Sequence, residues 1–141
     1  MTATESDRRW LQRAIDLAKK CPPDPSAFSV GAIIVAADGV EIATGYSRET
    51  DSKIHAEESA LAKAAGDPRL TGATIYSSLE PCGQRKSRPL TCTHLIIESG
   101  IRRVVYAWRE PPDFVEAPCG HALLVAAGVD TMEMPQLRSA E

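Results

Sequence analysis

The chain has no apolar run long enough to cross a bilayer, which takes ~20 residues of helix. Its longest such run, residues 30–37, is strand-sized. It also lacks the basic-then-apolar start of a secretory leader, because residues 1–7 are polar and acidic. Basic charge is not in excess: 16 Lys and Arg stand against 19 Asp and Glu, a net charge of −3. A dedicated nucleic-acid binder draws affinity from a basic face, so neither nucleic acid nor membrane is expected as a partner. The expected location is cytoplasmic. In a reducing compartment, the four cysteines read as metal ligands or small buried side chains rather than as a disulfide framework.

What is present suits one domain with a single core, expected over residues 1–134, with 135–141 as a polar tail. Trp10, Leu11, Ala14, Ile15, Leu17 and Ala18 recur at helical spacing after Ser6 and Asp7, either of which can cap the helix. The prolines at 22, 23 and 25 end it. Residues 30–36 and 40–46 read as strands joined by a hairpin turn at Asp38-Gly39. Helices follow over 55–65, 91–99 and 118–127, and strands over 73–79, 103–108 and 129–134. The last three strands alternate with helices, which implies parallel crossovers. The expected fold class is α/β, a three-layer α/β/α arrangement with a mixed five-stranded sheet.

Chemistry concentrates in two places. His55-Ala56-Glu57 opens a helix, Pro81-Cys82 follows a strand, and Cys92 opens the next helix. One imidazole and two thiolates suit zinc, and a catalytic zinc keeps its fourth position for water, whose pKa falls to ~7. A helix N-terminus favours thiolate at Cys92. Glu57, two residues after the histidine, can take a proton from that water and pass it to a leaving amine, the acid–base work that hydrolytic deamination needs. The alternative is a structural zinc site, completed by His94, Cys119 or His121, in a non-catalytic interaction module.

This order of residues resembles the cytidine-deaminase-like superfamily, whose signature is H-x-E followed by P-C-x-x-C. Here nine residues separate Cys82 from Cys92 instead of two. That widening, the stretch Gly72 to Cys82, the segment Gly100 to Ala107 and the run Ala127 to Asp130 resemble the deaminase domain of riboflavin-pathway pyrimidine deaminases. The resemblance covers nearly the whole chain. It implies the cytidine-deaminase-like fold, one zinc per subunit and a phosphorylated diaminopyrimidine ribosylamine as the small-molecule substrate. It also implies association into a homodimer or larger homo-oligomer. A free base or nucleoside such as cytosine or cytidine, or a guanine-like or specialised metabolite, is the alternative substrate.

The substrate shell departs from that family. Pro23-Asp24-Pro25 stands where the family carries Pro-Asn-Pro, and the chain has no asparagine at all. Ser26-Ala27-Phe28-Ser29-Val30-Gly31-Ala32 is more similar to the cytidine deaminases. Ser47 stands where relatives often place histidine or asparagine, and residues 83–88 read Gly-Gln-Arg-Lys-Ser-Arg. Ser26 and Ser47 are candidate hydrogen-bonding residues, and Phe28 and Trp108 are candidates to stack on a planar ring. Arg85, Lys86 and Arg88 form either a solvated loop or a clamp for an anionic group. Glu58 reads as a solvent-facing helix residue, and Cys21 as inert.

Overall fold

The computed structural model describes residues 4–21, 30–50, 54–79, 92–108 and 120–134. Helix α1 (Glu5–Ala18) is followed by strands β1 (Gly31–Val35) and β2 (Glu41–Tyr46), then helix α2 (Ala56–Lys63). A 3-10 turn (Pro68–Gly72) leads into β3 (Thr74–Leu79). Helix α3 (Cys92–Ser99), β4 (Arg103–Trp108), α4 (Gly120–Ala126) and β5 (Asp130–Glu133) complete the order. The strands form one sheet in the order β2-β1-β3-β4-β5. β1 is antiparallel to both β2 and β3, whereas β3, β4 and β5 run parallel. The mixed five-stranded sheet expected from the pattern is therefore present.

Its layers follow from alternation along the strands. Ile33 and Val35 face α1 and pack with Leu11, Ala14, Ile15, Tyr76, Val105 and Met134. Their neighbours Ala32 and Ile34 face the other way, into a core with Ala56, Ala60, Leu61, Ile96, Val104 and Leu124 from α2, α3, β4 and α4. One helix thus covers one face of the sheet and three cover the other, giving the expected three layers. The hairpin turns at Gly39, whose φ of 88° is a conformation that glycine adopts without strain. Among the described residues, no helix is long and apolar enough to cross a membrane.

The start of α1 differs from the sequence expectation. Neither Ser6 nor Asp7 caps it. Thr4 does, and Asp7 closes a reciprocal capping box: Thr4 Oγ1 accepts from the Asp7 N–H at 3.1 Å, and Asp7 accepts from the Thr4 N–H at 3.0 Å. The same carboxylate is only 2% exposed and also accepts from the Tyr76 hydroxyl at 2.6 Å and from both Arg103 guanidinium nitrogens at 2.7 and 2.6 Å. Burial alone would raise the Asp7 pKa, but the hydrogen bonds from Arg103, Tyr76 and Thr4, with the Arg103 charge, outweigh it and hold the carboxyl well below its usual range. Burial and the Asp7 hydrogen bond push the Tyr76 phenol upward in turn. Nothing local in the sequence marks this cluster, because its partners lie on β3 and β4.

Candidate active site

The first turns of α2 and α3 meet at one end of the sheet. His55 is the N-cap of α2, with an extended backbone (φ −87°, ψ 158°), which places it at the start of the helix. Cys92, fully buried, opens α3. His55 Nδ1 lies 3.3 Å from Cys92 Sγ. Bonds of ~2.0–2.1 Å to nitrogen and ~2.3 Å to sulfur at a tetrahedral zinc put the two donors about 3.5 Å apart. The pair therefore fits two positions of one zinc, with a donor set of the borderline-soft kind that zinc prefers. Cys82 lies outside the described residues, and among those described no third His, Cys, Asp or Glu joins the pair.

Glu57 sits in the same first turn of α2 and is 4% exposed although its side chain is a carboxyl group. Carboxylates are rarely buried to this degree without a role or partners. Its neighbour Glu58 is not the solvent-facing residue expected. It is half-buried, and its Oε1 accepts from the His55 N–H at 3.2 Å. The signal for this was the three-residue spacing of a capping box, obscured because histidine is an unusual N-cap. Both glutamates also lie favourably in the positive field of the helix N-terminus.

The floor under this turn is narrowest at Gly45. Gly45, Ala32, Ser77 and Tyr106 stand in one cross-strand row. A Cβ built on Gly45 would come 2.6 Å from Ala60 N and 3.0 Å from Ser59 Cβ, and would strike the Ala56 carbonyl. Helix α2 therefore lies directly on the β2 backbone. It is held there by the 48–50 turn: Ser59 Oγ donates to Glu49 at 2.6 Å, and Lys63 Nζ donates to Glu49 at 2.7 Å and to the Thr44 carbonyl at 2.8 Å. Burial raises and these bonds lower the Glu49 pKa, with a net lowering.

Ser47, His94 and Cys21 make contacts of their own. The Ser47 hydroxyl accepts from the Val30 N–H at 2.9 Å and donates back to its carbonyl at 3.4 Å, so the contacts it makes join the ends of β1 and β2. His94 is exposed and pairs with Glu98 one turn along α3, at 3.1 Å. Cys21 Sγ donates to the Val30 carbonyl. Ser26, Phe28, Arg85, Lys86, Arg88 and Cys119 lie outside the described residues, as do the side chains of Trp108 and His121.

The family described as the cytidine and deoxycytidylate deaminase zinc-binding region matches residues 4–108, a span that includes α1 through β4 and both halves of the His55–Cys92 pair. The chain belongs to that deaminase family. The zinc expected from the donor chemistry is thus the family's own cofactor. Within the family, the chain is 42% identical over 127 residues to the diaminohydroxyphosphoribosylamino-pyrimidine deaminase of Schizosaccharomyces pombe, an alignment covering 88% of this chain and 31% of that one. The structure of Aspergillus oryzae Rib2 deaminase in complex with DARIPP superposes with a TM-score of 0.78 at 28% identity, covering 92% of this chain and 84% of that one. A Thermotoga maritima diaminohydroxyphosphoribosylaminopyrimidine deaminase/5-amino-6-(5-phosphoribosylamino)uracil reductase superposes with a TM-score of 0.78 at 35% identity, covering 96% of this chain and 38% of the other. The chain spans about a third of the length of the curated relatives it matches. The resemblance to the riboflavin-pathway branch read from the cysteine spacing agrees with these relatives.

Proposed function

We propose that this domain hydrolytically deaminates a phosphorylated diaminopyrimidine ribosylamine, the substrate class of riboflavin-pathway deaminases. The observation that carries the reading is the meeting of His55 and Cys92 from two helix starts, 3.3 Å apart, in the same turn as the buried Glu57. Similarity to pyrimidine deaminases of that pathway selects the substrate. His55, Cys92 and Cys82 would hold one zinc per subunit, which when bound lowers the pKa of water and so supplies a nucleophile near neutral pH. Glu57 takes a proton from the attacking water as the carbon–oxygen bond forms. That proton goes to the adjacent ring nitrogen, and Glu57 then takes the proton of the new hydroxyl group and passes it to the amino nitrogen as the carbon–nitrogen bond breaks, leaving ammonia and a ring carbonyl beside a ring N–H. Arg85, Lys86 and Arg88 in the 83–88 segment would supply positive charge suited to a substrate phosphate.

Self-association into a homodimer or larger assembly is part of this reading, supported by the exposed apolar side chains of Ile97 on α3 and Val125 on α4. So is a cytoplasmic location, since thiolate ligands persist in a reducing compartment. The deciding experiment measures ammonia release from the zinc-loaded protein with the phosphorylated ribosylamine, its dephosphorylated form, cytosine and cytidine. Turnover of the phosphorylated compound is expected. Turnover of only an uncharged base or nucleoside would overturn the substrate assignment while keeping the chemistry.

A further inference from the structure

We propose that Gly45 and Glu58, neither of them a zinc ligand or proton carrier in the reading above, are positioning residues that set where the first turn of α2 lies. His55 and Glu57 flank Ala56, and Ala56 is the residue whose carbonyl rests against the Gly45 backbone. The space above Gly45 is filled by main chain on both sides, Ala56 and Ala60, and main chain cannot swing aside as a flexible side chain can. A methyl group at position 45 therefore moves the turn as a unit, and His55 and Glu57 with it.

Glu58 acts on the same turn from within. Its bond to the His55 N–H holds the N-cap in the extended conformation that sends the ring toward Cys92 on the other helix. Zinc geometry and proton transfer both depend on sub-ångström placement, so a floor and a latch on this one turn bear on metal affinity and on turnover together. The two residues hold the turn in different ways, one by leaving no room below it and the other by a hydrogen bond, and their effects can be separated by substitution.

The proposal rests on the deaminase reading only for its turnover arm. The test compares Gly45→Ala with Gly31→Ala, which meets an equivalent obstruction against α1 on the opposite face, 2.8 Å from Ala18 N. Melting temperature, zinc affinity by competition with a chromogenic chelator, and kcat and KM are measured for each. Gly45→Ala is expected to lose about tenfold or more in zinc affinity and in kcat with little change in KM, the scale seen when groups that orient metal ligands are removed. Gly31→Ala is expected to lower the melting temperature while zinc affinity is kept. Equal zinc affinities for Gly45→Ala and the unsubstituted protein, or equal losses in both variants, overturn the proposal for Gly45.

If Gly45→Ala does not fold, Glu58 decides. Glu58→Ala should lose zinc affinity about tenfold, and Glu58→Gln, which keeps an acceptor oxygen, should restore most of it. No loss in Glu58→Ala, or an equal loss in Glu58→Gln, overturns the proposal. Should the unsubstituted protein turn over none of the substrates, the functional reading fails and the zinc-affinity comparison still decides this one.

Discussion

Among the described residues, Asp7 and Glu57 are acidic side chains buried for different reasons. Asp7 is surrounded by donors: the Thr4 N–H, the Tyr76 hydroxyl and two guanidinium nitrogens of Arg103. Its role is to tie α1 to β3 and β4. Asp7→Asn leaves the Arg103 charge without its partner, and removal of one member of such a pair is expected to cost about 2–4 kcal/mol in denaturant unfolding at neutral pH. The pH dependence has a definite sign. Because the folded pKa lies below the ordinary value of 3.8, the unfolded chain takes up the proton first as pH falls. The Asp7 contribution is therefore complete above that value and drains away below it. Denaturation midpoints measured from pH 7 down to pH 3 should fall further for the natural protein than for Asp7→Asn. Parallel lines would remove Asp7 from the acid sensitivity.

Glu57 has the opposite character, a buried carboxylate beside a candidate metal pair. Glu57→Gln should lower kcat by roughly 10²–10⁴-fold, while the zinc content found by atomic absorption stays that of the unsubstituted protein. Turnover surviving in the glutamine variant would assign the proton transfer elsewhere.

At the scale of elements, glycines do two distinct jobs. Gly39 has a positive φ and nothing within 4 Å of a built Cβ, so Gly39→Ala costs conformational strain alone, about 1 kcal/mol, and should leave zinc binding untouched. Calorimetry and a zinc titration on one variant check both halves. Gly45 has an ordinary backbone, and its constraint is entirely a matter of space. These two cases also show what periodicity can and cannot convey. The apolar run over 30–36, the alternation over 40–46 and the Asp38-Gly39 dipeptide made the hairpin legible, and the helical stripes of α1 and α2 were legible for the same reason: each is a local pattern. The H-x-E and the two cysteines made the metal chemistry legible because a donor set is a list of residue types. The floor under α2 was not, because Gly45 acquires meaning only when a helix from another part of the chain is laid across it. Thr4 as the true cap of α1 was missed because Thr4, Ser6 and Asp7 could each serve, and the reciprocal Thr4–Asp7 pair makes Asp7 the third residue of the helix rather than its cap.

For the molecule as a whole, the arrangement of layers is lopsided. A single helix covers one face of the sheet, and α2, α3 and α4 cover the other, with the candidate zinc pair spanning α2 and α3. A metal held there fastens two helices that otherwise meet mainly through apolar side chains, so it should stabilise the fold as well as support catalysis. Free zinc at a hundredfold excess over its dissociation constant contributes ~2.7 kcal/mol. In a domain of this length that corresponds to roughly 5–10 °C in melting temperature. Treatment with a strong chelator should lower the melting temperature by that amount, and added zinc should restore it. An unchanged melting temperature would mean that α2 and α3 are held together without the metal.

The bridge between Asp7 and Arg103 spans 96 positions of the chain. On a ribosome working at about 5–20 residues per second, roughly 5–20 s pass between synthesis of the aspartate and synthesis of the arginine. The Thr4–Asp7 capping box is complete within one helical turn, so α1 has its start signal from the outset. Its docking partner on β4 does not yet exist. Early in that interval the first helix and the hairpin emerge before α2, which covers the other face of β1, and before β3, which pairs with its far edge. The tie that closes the domain is thus available only after most of the chain has been made, and a nascent chain halted before β4 would lack it altogether.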